Sequence, residues 1–195
     1  MDPTDDLPIT ERLRLRRFTP DDLDFLCTVH SDPEVMRYVG GVKNRAQSEE
    51  LLHGRVLAYY DAHPGLGCWM TIERATGAAI GLHILNHIRG ETHIQVGYVL
   101  ARPFWRRGYA TEMSIALLRY GFTQLKLAQI TAITDLPNLA SQHVLAKSGL
   151  RRNGERSFAD PILRGDTFAW FERDADDWLT DDRAHRIGKQ EGVLA

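Results

Sequence analysis

The chain has 195 residues, 43% of them hydrophobic and 26% charged, with a formal net charge of −2 at pH 7. That is the make-up of one soluble globular domain with room for a substantial core, and the slightly acidic balance argues against a general nucleic-acid binder. Two cysteines, Cys27 and Cys68, imply no disulfide framework and a reducing, cytoplasmic setting.

No apolar run approaches the ~20 residues that span a bilayer, and the acidic opening (Asp2, Asp5, Asp6) is unlike a signal peptide. In chain order, residues 13–18 alternate weakly and read as a first strand. Thr19 is a good helix cap, with Pro20 at the first helical position and Asp22 three residues on. A helix is therefore expected to about His30, with a short one after Pro33. Residues 47–62 read as helix, ended by His63-Pro64-Gly65. Residues 68–73 and 79–88 read as strands joined at Thr76-Gly77, with 92–100 a further antiparallel neighbour. Residues 108–125 form a central amphipathic helix with Met113, Leu117 and Leu118 on its apolar face. Strand 129–134 follows, then helix 138–148, capped by Asn138 and ended by Gly149. Strands 150–158 and 167–172 and a short helix over 174–182 complete the chain. The alternation predicts an α/β fold with a mixed sheet, one domain over residues 1–182, and a polar tail over 183–195.

The most informative stretch runs from Val96 to Glu112. An apolar strand leads into a loop with two arginines and a glycine, then into a helix. Such a unit aims backbone N–H groups and the positive end of a helix dipole at one spot, which suits a diphosphate. Gly108 lets backbone approach a ligand closely, and Arg106 and Arg107 add charge-assisted contacts to phosphate. Neither a P-loop string nor the dinucleotide G-x-G-x-x-G occurs in the chain.

The string RRGYATEM resembles the acetyl-coenzyme A loop of the GCN5-related N-acetyltransferases, [Q/R]-x-x-G-x-[G/A], with Gly108 and Ala110 at its last two fixed positions. Trp105 stands where the first Gln or Arg would be, and Arg106 where one branch carries glycine. Residues 135–150 resemble the N-x-x-S-x-x-x-L-x-K-x-G-[FL] motif of the ribosomal-protein N-terminal acetyltransferase branch (RimJ/RimL-like), through Asn138, Ser141, Leu145, Lys147 and Gly149. The opening, Leu13-Arg14-Leu15-Arg16 with Asp32-Pro33-Glu34, fits the same branch. The resemblance covers about residues 10–178. It implies a mixed, mostly antiparallel sheet splayed between two parallel strands and flanked by helices. It also implies direct acetyl transfer from acetyl-CoA to a primary amine, such as a protein N-terminus, with no metal, nucleic acid or membrane involved. Whether the chain forms a homodimer is left open. By the match, Tyr98, Val99 and Leu100 hold the pantetheine arm and Arg106, Arg107, Gly108, Tyr109, Ala110 and Thr111 the diphosphate. Asn138 contacts the cofactor or product amide. Ser141, one turn on, can donate a proton to sulfur or simply bond back to a helix carbonyl.

Many relatives carry Glu two residues before the Gly-Tyr pair, where this chain has Gln95. A glutamine cannot accept the proton. His83, His87 and His93 lie nearby, and His93, on the face of Gln95, is the best candidate for base or relay. Their spacing does not support zinc. A lysine amine (pKa ~10.4) costs roughly 3.5 kcal/mol more to deprotonate than an α-amine (~7.8). A weak base therefore favours an α-amine or another amine of low pKa. Trp69, Tyr59, Tyr60 and Trp170 could line an acceptor groove or belong to the core. Two other functions remain open: acetylation of a small antibiotic or metabolite amine, and a catalytically degenerate acyl-CoA-binding regulator.

Overall fold

Seven strands form one sheet: six carry aliphatic, β-branched or aromatic residues on at least one face, the edge strand over residues 151–157 is wholly polar, and the helices between them sort to its two faces. The computed structural model describes residues 7–158 and 167–181. Its strands are β1 (Leu13–Arg17), β2 (Gly67–Glu73), β3 (Ala79–His87), β4 (Ile94–Leu100), β5 (Gln129–Asp135), β6 (Arg151–Ser157) and β7 (Thr167–Asp174), in the spatial order β1-β2-β3-β4-β5-β7-β6. All neighbours are antiparallel except β4 and β5, which are parallel and share one register pair, Gln95 with Thr131. Beyond that pair, toward Leu100 and Asp135, the ladder stops and a wedge opens in the middle of the sheet.

On one face, α1 (Leu23–Ser31) and α2 (Pro33–Met36) cover Met70, Ile72, Leu82 and Val99. On the other, α5 (Tyr109–Thr123) lies over Leu85, Val96, Ile130 and Ala132, with α6 (Leu139–Lys147) and α7 (residues 175–181) beside it. Met113, Leu117 and Leu118 of α5 are fully buried, and cutting Leu117 back to alanine is expected to cost about 2–5 kcal/mol. Gly81 sits where β3 passes closest to β4: a Cβ there would lie 2.2 Å from the Val99 carbonyl oxygen.

The element boundaries move for local reasons. The helix expected from residue 47 starts as α3 (Arg45–Leu51), because Asn44 and Gln47 cap one another reciprocally at 2.9 Å. It continues through a π turn (Leu52–Leu57) into α4 (Ala58–Ala62). The helix expected after Thr19 opens as a 3-10 turn, Pro20–Asp22, before α1. β4 begins at Ile94 rather than residue 92, since Ile88 N–H bonds the His93 carbonyl at 2.9 Å and leaves His93 in the turn before the strand. The expected tail over 183–195 lies outside the described residues. Among those described, no helix is long and apolar enough to cross a membrane.

Candidate active site

The loop after β4 owes its shape to two residues with positive φ, Arg106 (61°) and Gly108 (79°). Glycine adopts this conformation freely, whereas arginine does so at a cost that surrounding contacts must offset. Gly108 caps α5 without a side-chain hydrogen bond, and the first intrahelical bond runs from Glu112 N–H to the Gly108 carbonyl at 3.0 Å. The N–H groups of Tyr109, Ala110 and Thr111 therefore have no carbonyl inside the helix and stand ready for an anion. Tyr109 is fixed from below: its hydroxyl donates to Glu73 Oε1 at 2.5 Å, and Thr76 Oγ1 donates to Glu73 Oε2 at 2.7 Å. These bonds, Tyr109 first, hold the Glu73 carboxyl below its ordinary pKa. Trp105 replaces the expected Gln or Arg with a different tie, its indole Nε1 donating to the Leu100 carbonyl at 2.6 Å. Beside the loop an open cavity of about 820 Å³ is lined by Asp32, Arg102, Pro103, Trp105 and Arg106.

On the α5 face of β4, Tyr98 is paired with His83 of β3, ring centroids 5.8 Å apart. Burial raises the Tyr98 phenol above its ordinary pKa, and the facing Ser141 hydroxyl lowers it part of the way back. Asn138 caps α6 by accepting from Ser141 N–H at 3.1 Å, so only its amide NH2 is left to donate to a ligand. The structure thus brings Tyr98, Asn138 and Ser141 together at the open end of the wedge.

The three histidines separate. His83 is fully buried, its Nδ1 is paired with Thr71 Oγ1 at 2.7 Å, and burial pushes it down to about 3. It is neutral at pH 7 and sealed from substrate. His87 Nδ1 pairs with the Tyr59 hydroxyl at 2.6 Å, and its ring lies 4.8 Å from that of His63. His93 stands apart: its ring meets Trp170 edge-on at 5.2 Å, its Nδ1 is buried without a hydrogen bond, and Glu91 Oε2 lies 3.6 Å away. Trp69 and Trp170 are buried and Tyr60 bonds Phe18 N–H at 3.0 Å, so these aromatics are core.

A row that sequence patterning did not reveal crosses the face opposite α5 at the base of the wedge. Register aligns Asn86 of β3, Gln95 of β4, Thr131 of β5 and Glu172 of β7. Gln95 Nε2 donates to Asn86 Oδ1 at 3.4 Å, a long bond that leaves the Gln95 carbonyl as an acceptor. Glu172 is turned aside, accepting from Trp170 Nε1 (2.6 Å) and Asn153 Nδ2 (2.5 Å). Only pairing across four strands makes this row, so no local motif announces it. Among the described residues no group of three metal-ligating side chains is present.

Residues 12–151 match the family model described as acetyltransferase (GNAT) domain. The uncharacterized N-acetyltransferase YoaA of Bacillus subtilis (strain 168) is 32% identical over 152 residues, 74% of this chain and 82% of that protein. A GNAT-family acetyltransferase structure from Bacillus anthracis superposes with a TM-score of 0.71 at 24% identity, covering 87% of this chain and 99% of that one. RimL, a ribosomal L7/L12 α-N-protein acetyltransferase in complex with coenzyme A, superposes with a TM-score of 0.71 at 16% identity over 86% and 97% of the two chains. With the parallel β4–β5 wedge, the capped α5 and a family match over most of its length, the chain belongs to the GNAT acetyltransferases.

Proposed function

We propose that the enzyme acetylates an amine of low pKa, a protein N-terminal α-amine foremost, in the manner of the RimJ/RimL-like branch. The observation that carries this reading is Gln95: at the base of the wedge an amide held by Asn86 replaces the carboxylate that many relatives use as a base. Acetyl-CoA supplies the thioester. The N–H groups of Tyr109, Ala110 and Thr111, with Arg106 and Arg107, hold its diphosphate, while the backbone of Tyr98, Val99 and Leu100 holds the pantetheine arm. The neutral amine attacks the thioester carbon, with the Gln95 carbonyl accepting one of its hydrogens. The C–S bond breaks, the excess proton on nitrogen leaves through water to His93, and Ser141 passes its proton to the departing thiolate while taking one from the Tyr98 hydroxyl; water then returns the proton held by His93 to Tyr98. A site that removes protons weakly suits a substrate already partly neutral at pH 7.

The test incubates the protein with acetyl-CoA and follows free thiol with three acceptors: a peptide with a free α-amine, an Nα-blocked lysine peptide, and a small polyamine. The expected order of kcat/KM is α-amine first by at least about tenfold, given the deprotonation difference. A preference for lysine or polyamine would overturn the acceptor assignment. Thiol release no faster than hydrolysis with every acceptor would favour a binding role instead.

A further inference from the structure

We propose that Arg12 is a positioning residue for acetyl-CoA: it holds the diphosphate loop in its left-handed shape and cancels the charge of Glu112, one turn behind that loop. The inference rests on residues 106–111 being the diphosphate cradle. A carboxylate in the first turn of α5 favours an empty helix N-terminus but opposes an anion bound there. In this chain both Glu112 oxygens are turned toward the segment leading into β1. Oε1 accepts from Thr10 Oγ1 at 2.6 Å and from Arg12 N–H at 3.1 Å, while Oε2 accepts from Arg12 Nε at 2.6 Å and lies 2.5 Å from Nη2. Burial raises the Glu112 pKa, and the bonds from Thr10 and Arg12 outweigh it, leaving the carboxyl below its ordinary value.

The remaining Arg12 nitrogen, Nη1, donates to the Arg107 carbonyl at 3.0 Å, at the residue between the two with positive φ. The Arg12 guanidinium carbon stands 4.6 Å over the Tyr109 ring, and Nη2 lies 3.5 Å from where a Cβ on Gly108 would be. One side chain therefore touches the loop backbone, the residue after the cap and the first-turn carboxylate. Arg12 is itself anchored, its carbonyl accepting from Arg74 N–H at 2.8 Å. The pair is 44% and 19% exposed, so as an ion pair it adds little to stability. Its planar fork instead fixes orientation, and the consequence falls on ligand binding.

Calorimetric titration of the full chain with CoA and with pantetheine, which lacks the diphosphate, tests both levels. Wild-type protein that binds the two equally would overturn the cradle reading itself. Given tighter CoA binding, Arg12→Ala is expected to weaken CoA about tenfold at low ionic strength and to leave pantetheine unchanged. Adding Glu112→Gln to that variant should recover about threefold, because the unpaired charge is gone, and ~0.5 M salt should shrink the single-variant deficit. CoA binding that Arg12→Ala leaves intact, or a loss shared equally by pantetheine, overturns the proposal. Should Arg12→Ala not fold, Arg12→Lys keeps the charge without the fork and is expected to lose about threefold for CoA alone; unchanged affinity would then overturn it.

Discussion

The loop after β4 and the base of the wedge on the opposite face solve different electrostatic problems. Around the loop, polarity comes from backbone N–H groups, left-handed residues and carboxylates that are already paired, as Glu73 is with Tyr109 and Glu112 with Arg12. At the base of the wedge it comes from uncharged amides, Asn86 and Gln95, and from the His93 ring, while Glu172 of the same row is turned aside to Trp170 and Asn153 and Glu91 lies 3.6 Å from His93. An anion is best held by donors fixed before it arrives, because their ordering cost is met on folding. An α-amine already partly neutral at pH 7 gains little from a carboxylate base beside it, whose charge also favours the protonated form.

If that division is right, the two regions fail differently when altered. The largest effect is expected from Ser141→Ala, which removes the proposed proton donor to sulfur: kcat should fall about 100-fold while the Kd for CoA barely changes. A matching loss in CoA affinity would make Ser141 part of the cofactor cradle instead. Next comes stability against pH. His83 is depressed to about 3 from an ordinary 6.5, so the unfolded chain takes up the proton first as pH falls. Stability is full above pH 6.5 and declines below it, by about 2 kcal/mol at pH 5. In His83→Gln, chemical denaturation at pH 7 and pH 5 should show that much less difference; an unchanged difference would mean that other groups set the slope.

Gly108→Val should weaken CoA binding about 20-fold, since a β-branched residue at φ 79° is strained and blocks backbone approach. Arg106→Ala should cost only about threefold as a screened phosphate contact. The reverse ranking, in variants whose circular dichroism is native, would mean that side-chain charge rather than backbone holds the diphosphate. The smallest effects are expected on the amine side. Gln95→Glu should raise turnover of a lysine peptide about threefold and leave an α-amine peptide unchanged, while His93→Gln should lower kcat/KM for both acceptors. If Gln95→Glu slows both acceptors alike, the amide is an orienter whose loss matters more than any gained basicity.

Much of the cofactor end was legible in the sequence. Gly108 before an amphipathic run, Asn138 as a cap and Gly149 as a stop are signals that act within one or two helical turns, and the structure has α5 and α6 where they point. Trp105 read as a departure from a motif and is a tie to the Leu100 carbonyl. His93 read as a strand residue and lies in the turn before β4, because a turn bond between Ile88 and His93 sets where the strand can begin. The three histidines, close in sequence, have separate environments: one sealed at Thr71, one bonded to Tyr59, one facing Trp170.

By itself the sequence determined what depends on neighbours along the chain: helix caps, the apolar face of α5, the glycine at its start, and the absence of a carboxylate at residue 95. Tertiary structure alone decided what depends on register between strands and on contacts across a hundred residues. The Asn86–Gln95–Thr131–Glu172 row needs three strand pairings at once, and the hold of Arg12 on Glu112 and Arg107 needs the segment before β1 to lie against the start of α5. Local propensities act over a few residues of backbone. Which distant side chains share a site follows from how the whole core packs.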